Sequence, residues 1–72
     1  MKTRYYAAGL GGEIEIMFTD LRKAFEHAKE VAVDNKFGVC VLRKVEWDSN
    51  GRIVKHEGCK VFADGKFEYL YR

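Results

Sequence analysis

The segment from Thr19 to Asn35, TDLRKAFEHAKEVAVDN, places Leu21, Ala24, Phe25, Ala28, Val31 and Ala32 three and four residues apart. That spacing gathers them into one apolar stripe on a helix of 3.6 residues per turn. Arg22, Lys23, Glu26, His27, Lys29, Glu30 and Asp34 fall on the opposite side, toward water. Thr19 or Asp20 can cap the first turn, because a short side-chain oxygen satisfies an orphan amide. With Thr19 as the cap, Asp20 sits where the helix dipole favours an anion. The helix closes near Asn35, a residue that tolerates the left-handed conformation, with Gly38 just beyond. The rest of the chain reads as strand and turn, so a single helix must cover a single sheet.

Seventy-two residues give room for one domain, spanning 1–72. A domain of this size buries only about 60% of its unfolded surface, so its stability margin is thin. The residues are 47% apolar and 33% charged, far from the composition of a disordered chain. Thirteen basic and eleven acidic side chains leave a formal charge of +2, too balanced to announce nucleic acid. The charge is uneven, however. Residues 1–35 hold five basic and six acidic groups, and residues 36–72 hold eight basic and five acidic. With two cysteines, Cys40 and Cys59, no apolar leader and no span near ~18 apolar residues, we expect a cytoplasmic protein with reduced thiols and no membrane partner.

With no proline in the chain, turns must come from Gly, Asn and Asp. Lys2 to Ala8 reads as a first strand, with Tyr5 and Tyr6 on opposite faces. Gly9-Leu10-Gly11-Gly12 breaks it. Glu13 to Phe18 alternates, Ile14, Ile16 and Phe18 against Glu13, Glu15 and Met17, and is expected to pair with the first strand as a hairpin. Val39 to Trp47 is the strongest strand. Its first half is apolar on both faces and so belongs at the covered centre of the sheet. Asn50-Gly51 predicts a tight hairpin. A two-residue loop sets Trp47 opposite Val54, Glu46 opposite Lys55, Val45 opposite His56 and Lys44 opposite Glu57; a bulged three-residue loop is the alternative. Arg52 to Ala63 reads as one long strand with a bulge at Gly58, or as two short strands turning at Glu57-Gly58. Asp64-Gly65 turns the chain into Lys66 to Arg72, where Phe67, Tyr69 and Tyr71 are expected on one face. The element order is ββαβββ and the fold class α+β, one helix of about residues 20–35 on a mostly antiparallel sheet.

The chemistry-bearing residues do not assemble into a catalytic pattern. The glycines at 9, 11 and 12 lie between two strands, whereas a phosphate loop leads into a helix. His56 and Cys59 are three apart, which on a strand means opposite faces, and zinc needs four converging ligands; neither a metal nor a cofactor is expected. Ser49, the only serine, sits in a turn with no histidine at a suggestive spacing. Glu13 and Glu15 share a strand face with no sign of a deep pocket to raise one pKa. One helix on one sheet leaves little volume for a closed cavity, so an enzyme is not expected. What remains is a set of aromatic and cationic side chains suited to contacts: Tyr5, Tyr6, Trp47, Arg52, Tyr69, Tyr71 and Arg72, with Arg52, Lys55 and Lys60 able to meet phosphate or carboxylate. Such groups recur both at protein interfaces and on surfaces that stack unpaired bases.

The layout carries one likeness. An aromatic opening strand leads to one Ala-, Lys- and Glu-rich helix, then a meander punctuated by Phe37-Gly38-Val39, Asn50-Gly51 and Asp64-Gly65-Lys66-Phe67. This resembles many small phage and prophage proteins and is similar in plan to some anti-CRISPR proteins. The resemblance spans the whole chain and implies a compact, non-catalytic inhibitor that occupies the surface of a host protein or nucleoprotein complex. The balanced charge departs from the strongly acidic, duplex-mimicking type. Direct nucleic-acid binding through a mildly basic, aromatic-bearing sheet face is the second expectation. A homodimer joined along the Lys66–Arg72 edge, rather than a monomer, is a third.

Overall fold

The structure is a computed structural model that describes residues 1–9 and 15–72. It consists of β1 (Lys2–Gly9), β2 (Ile16–Phe18), α1 (Leu21–Asp34), β3 (Val39–Trp47), β4 (Ile53–Phe62) and β5 (Phe67–Tyr71). The strands form one sheet in the order β2-β1-β3-β4-β5, and every neighbouring pair is antiparallel. The α+β class and the ββαβββ order are as the periodicity predicts. Gly9 of the Gly-rich break belongs to β1; the rest of the break, residues 10–12, and residues 13 and 14 of the expected second strand lie outside the described residues.

Asp20, not Thr19, caps α1: its carboxylate accepts a hydrogen bond from the Arg22 amide at 2.9 Å. At the other end Asn35 is extended, with φ −89°. Its side-chain oxygen accepts from the Phe37 amide at 2.7 Å, and its carbonyl accepts from Gly38 at 2.9 Å. Gly38, at φ +68°, takes the left-handed conformation expected of Asn35. A glycine adopts it without the Cβ clash that penalises every other residue.

The stripe of α1 buries its smallest members. Ala24, Ala28 and Ala32 are essentially inaccessible and pack on Ala7, Cys40, Leu42 and Val61. Small side chains let the helix approach the sheet closely, and Phe25 and Val31 flank the contact. Leu21, at the start of the stripe, stays more than half exposed. Val61 and Cys40 are the largest fully buried side chains. A fully buried valine contributes about 1.5–3 kcal/mol, so a core this thin leans on the ladder of the long β3–β4 hairpin.

Both tight turns have the same construction. Asp48 donates its amide to the Arg52 carbonyl at 2.9 Å, and Gly51 donates to the Asp48 carbonyl at 3.1 Å. Phe62, Lys66 and Gly65 repeat the pattern at 2.8 and 2.9 Å. Gly51 and Gly65 have positive φ. The loops are therefore three residues long, Ser49 to Gly51 and Ala63 to Gly65, rather than the two-residue loop at Asn50-Gly51. A three-residue loop sets Trp47 opposite Ile53 instead of Val54, and a bulge between Glu46 and Trp47 absorbs the extra residue. Beyond it the predicted pairs hold: Glu46 with Lys55, Val45 with His56 and Lys44 with Glu57.

The strand of residues 53–62 is continuous, and its pairing with β5 slips at Gly58. Cys59 pairs with Tyr69 while Gly58 pairs with Tyr71, so Leu70 is the extra residue. This overturns the expected common face for β5. Phe67 and Tyr69 lie on the helix side with Val61 and Cys59, and Tyr71 crosses to the other side with Gly58 and Arg43.

Candidate binding surfaces of the sheet

Register divides the predicted contact residues between two faces. On the open face, away from α1, the ladder aligns Lys2 with Trp47, Arg4 with Val45 and His56, and Tyr6 with Arg43, Gly58 and Tyr71. Val41 pairs with Lys60, and Lys60 with Glu68. Tyr6, Trp47, Lys60 and Tyr71 therefore share this face. Tyr5, Lys55 and Tyr69 belong to the helix side. Arg52 is exposed just past the first turn, and Arg72 stacks its guanidinium 4.3 Å from the Tyr69 ring centre.

The open face is built around Arg43. Its guanidinium grips Glu15 through Nε at 2.9 Å and Nη2 at 2.6 Å and lies 5.2 Å from the centre of the Tyr6 ring. One strand further on, the Tyr71 ring covers the backbone of Gly58; a Cβ there would stand 2.5 Å from the ring. The Tyr71 hydroxyl reaches His56 Nε2 at 3.0 Å. Lys2 Nζ sits 5.6 Å from the Trp47 ring centre. Val45 is buried on this face beneath the longer side chains around it. Among the described residues, Lys2, Arg4 and Lys60 make no ion pair closer than 4.0 Å. Sequence reasoning missed Lys2, Arg4 and Arg43; strand alternation from Tyr6 back to Lys2 would have placed the first two beside it.

Charge on the helix side is self-neutralising. Lys44 pairs with Glu46 at 3.0 Å and Lys55 with Glu57 at 2.9 Å, both along the strand. The cross-strand register closes them into a quartet. The Lys55 hydrogen bond holds the Glu57 carboxyl below the usual range, aided by the charges of Lys55, Lys44 and Arg72. The Glu46 hydrogen bond raises Lys44 above its usual value. Lys55 was expected to face a partner; here it is spent on Glu57.

Next to the quartet the helix side opens into a cleft of about 600 Å³. Leu21, Arg22 and Phe25 of α1 form one wall, Phe67 and Tyr69 of β5 the other, and Leu42, Lys44, Glu57 and Cys59 the floor, with Tyr5 also lining it. The cleft is open to solvent and is not a closed cavity of the kind for which one helix on one sheet leaves little volume. The cleft exists because α1 packs over β1 and β3 and stops short of β5. Phe25 and Phe67 meet edge to face at 6.3 Å, and Phe67 and Tyr69 remain about half exposed. Burial pushes the Cys59 thiol up, with the Glu57 charge adding to it, so it stays protonated at neutral pH and is a poor nucleophile. His56 and Cys59 point to opposite faces, as alternation requires. Among the described residues no three His, Cys, Asp or Glu side chains cluster in a way that could hold a metal, and no helix is long and apolar enough to cross a membrane.

No family model, no curated protein and no solved structure matches this chain.

Proposed function

We propose that the chain is a non-catalytic binding protein that acts in the host cytoplasm, in the manner of a phage-encoded inhibitor, and occludes an anionic surface of a host protein or nucleoprotein complex. The observation that carries this reading is the segregation of charge. The helix-side quartet neutralises itself, whereas on the open face Lys2 and Arg4 make no ion pair among the described residues, and Lys60 faces Glu68 across the ladder without one closer than 4.0 Å. Tyr6, Trp47 and Tyr71 lie between them. Aromatic and arginine side chains of this kind anchor protein interfaces, and unopposed cations steer an acidic partner. The test is affinity capture from host lysate with the immobilised full chain. A stoichiometric partner, lost when Arg4 and Lys60 are both reversed to Glu, is expected; capture of none overturns the reading.

The interleaving of cations with the exposed Tyr71 ring and the half-buried rings of Tyr6 and Trp47 also favours a second reading, in which the same face takes single-stranded nucleic acid directly. Affinity for an oligonucleotide would then fall steeply between about 50 and 200 mM salt. Absence of a gel shift at low salt removes it.

A further inference from the structure

The cleft between α1 and β5 is separate from the open face and has its own chemistry. Its volume, about 600 Å³, falls within the ~300–1,000 Å³ range of small-molecule sites. Its walls are apolar and aromatic, and four side chains around it are charged. Of these, Lys44 and Glu57 are already engaged with Glu46 and Lys55. Arg22 lines the cleft from the first turn of α1 and makes no ion pair among the described residues. Arg72 stands over Tyr69 at its edge. The unbalanced charge at the mouth is therefore positive, beside apolar surfaces from which a bound ligand would displace water, strengthening an ionic hydrogen bond. Glu57 on the floor opposes a second negative group.

We propose that this cleft binds a small apolar molecule bearing a single carboxylate, its body over Leu42 and alongside Phe25 and Phe67 and its carboxylate on Arg22. A guanidinium presents a planar fork that matches a carboxylate in two hydrogen bonds. Leu21, Phe67 and Tyr69, which are 53%, 55% and 44% exposed, would lose water to the ligand. The inference does not depend on what the open face binds.

Decanoate, decan-1-ol and decylammonium, titrated into the ¹⁵N-labelled full chain and followed by NMR, test it. Decanoate is expected to shift the amides of Phe25, Cys59 and Tyr69 saturably, with decylammonium about tenfold weaker. Arg22→Glu should remove the preference for decanoate over decanol, and Phe67→Ser should weaken both. Both positions are exposed, so the variants should keep the wild-type spectrum elsewhere. The proposal is overturned by equal binding of the three probes, by shifts centred on Trp47 and Tyr6, by no saturable shift up to about 1 mM, or by an Arg22→Glu variant that still selects decanoate. None of these results bears on capture from lysate.

Discussion

Gly58 shows how one missing methyl group arranges a surface. Tyr71 lies over it, and an added Cβ would meet the ring at 2.5 Å. The obstructing atoms are the far end of a side chain, so Gly58→Ala should fold, with Tyr71 swung outward and its contact with His56 lost. The expected cost is about 1 kcal/mol, the worth of one ring contact and one exposed hydrogen bond. Thermal unfolding would show the loss, and disappearance of the nuclear Overhauser contact between the Tyr71 and His56 rings, 5.0 Å apart at their centres, would confirm that the contact is gone. Persistence of that ring contact in the variant would refute the account. Glu57 gives a pH dependence at the same scale. Its carboxyl is held below the usual 4.5 by the Lys55 hydrogen bond first, and by neighbouring positive charge. A group with a depressed folded-state pKa stabilises the fold when ionised. That contribution is intact above about pH 4.5 and is lost as pH falls through the lower, folded value. Lys44, raised by Glu46, behaves oppositely: its contribution holds below its usual 10.5 and is lost only at still higher pH. Denaturant midpoints for wild type and Glu57→Gln should therefore differ at pH 7 and draw together as pH falls below the usual 4.5.

Among the elements, α1 depends on size as much as on hydrophobicity. Ala24, Ala28 and Ala32 sit flush against the sheet, so Ala28→Leu, a change that raises hydrophobicity, should destabilise by about 1–3 kcal/mol through overpacking. A higher denaturant midpoint would show that the helix can lift without penalty. The β4–β5 pairing makes a related point about register. One extra residue, Leu70, sends Tyr69 and Tyr71 to opposite faces. Strict alternation along residues 66–72 would have put both rings on the helix side and left the open face without its outermost aromatic.

Across the whole molecule, the sheet works as a charge sorter. The helix side carries a balanced quartet, and the open face carries Lys2, Arg4, Arg43 and Lys60 among rings against Glu15 and Glu68. Lys55→Glu and Lys60→Glu change net charge identically but on different faces. If the open face engages an anionic partner, Lys60→Glu should weaken capture several-fold and Lys55→Glu should leave it nearly unchanged, since a rim charge acts mainly through steering. Equal losses, read by surface plasmon resonance at two salt concentrations, would mean that net charge rather than the face governs binding.

The amino-acid order by itself determined the helix, its capping region, the strand count and the register of most of β3 against β4. Those features follow from local periodicity and from turn residues whose backbone freedom acts within a few positions. The sidedness of β5 and the length of both hairpin loops were decided only in the tertiary structure, because a bulge is set by pairing across strands and leaves no periodic trace in either one. The cleft was decided there too. Three alanines drew the helix down over β1 and β3, and no pattern within the helix could tell that β5 would be left beyond its reach.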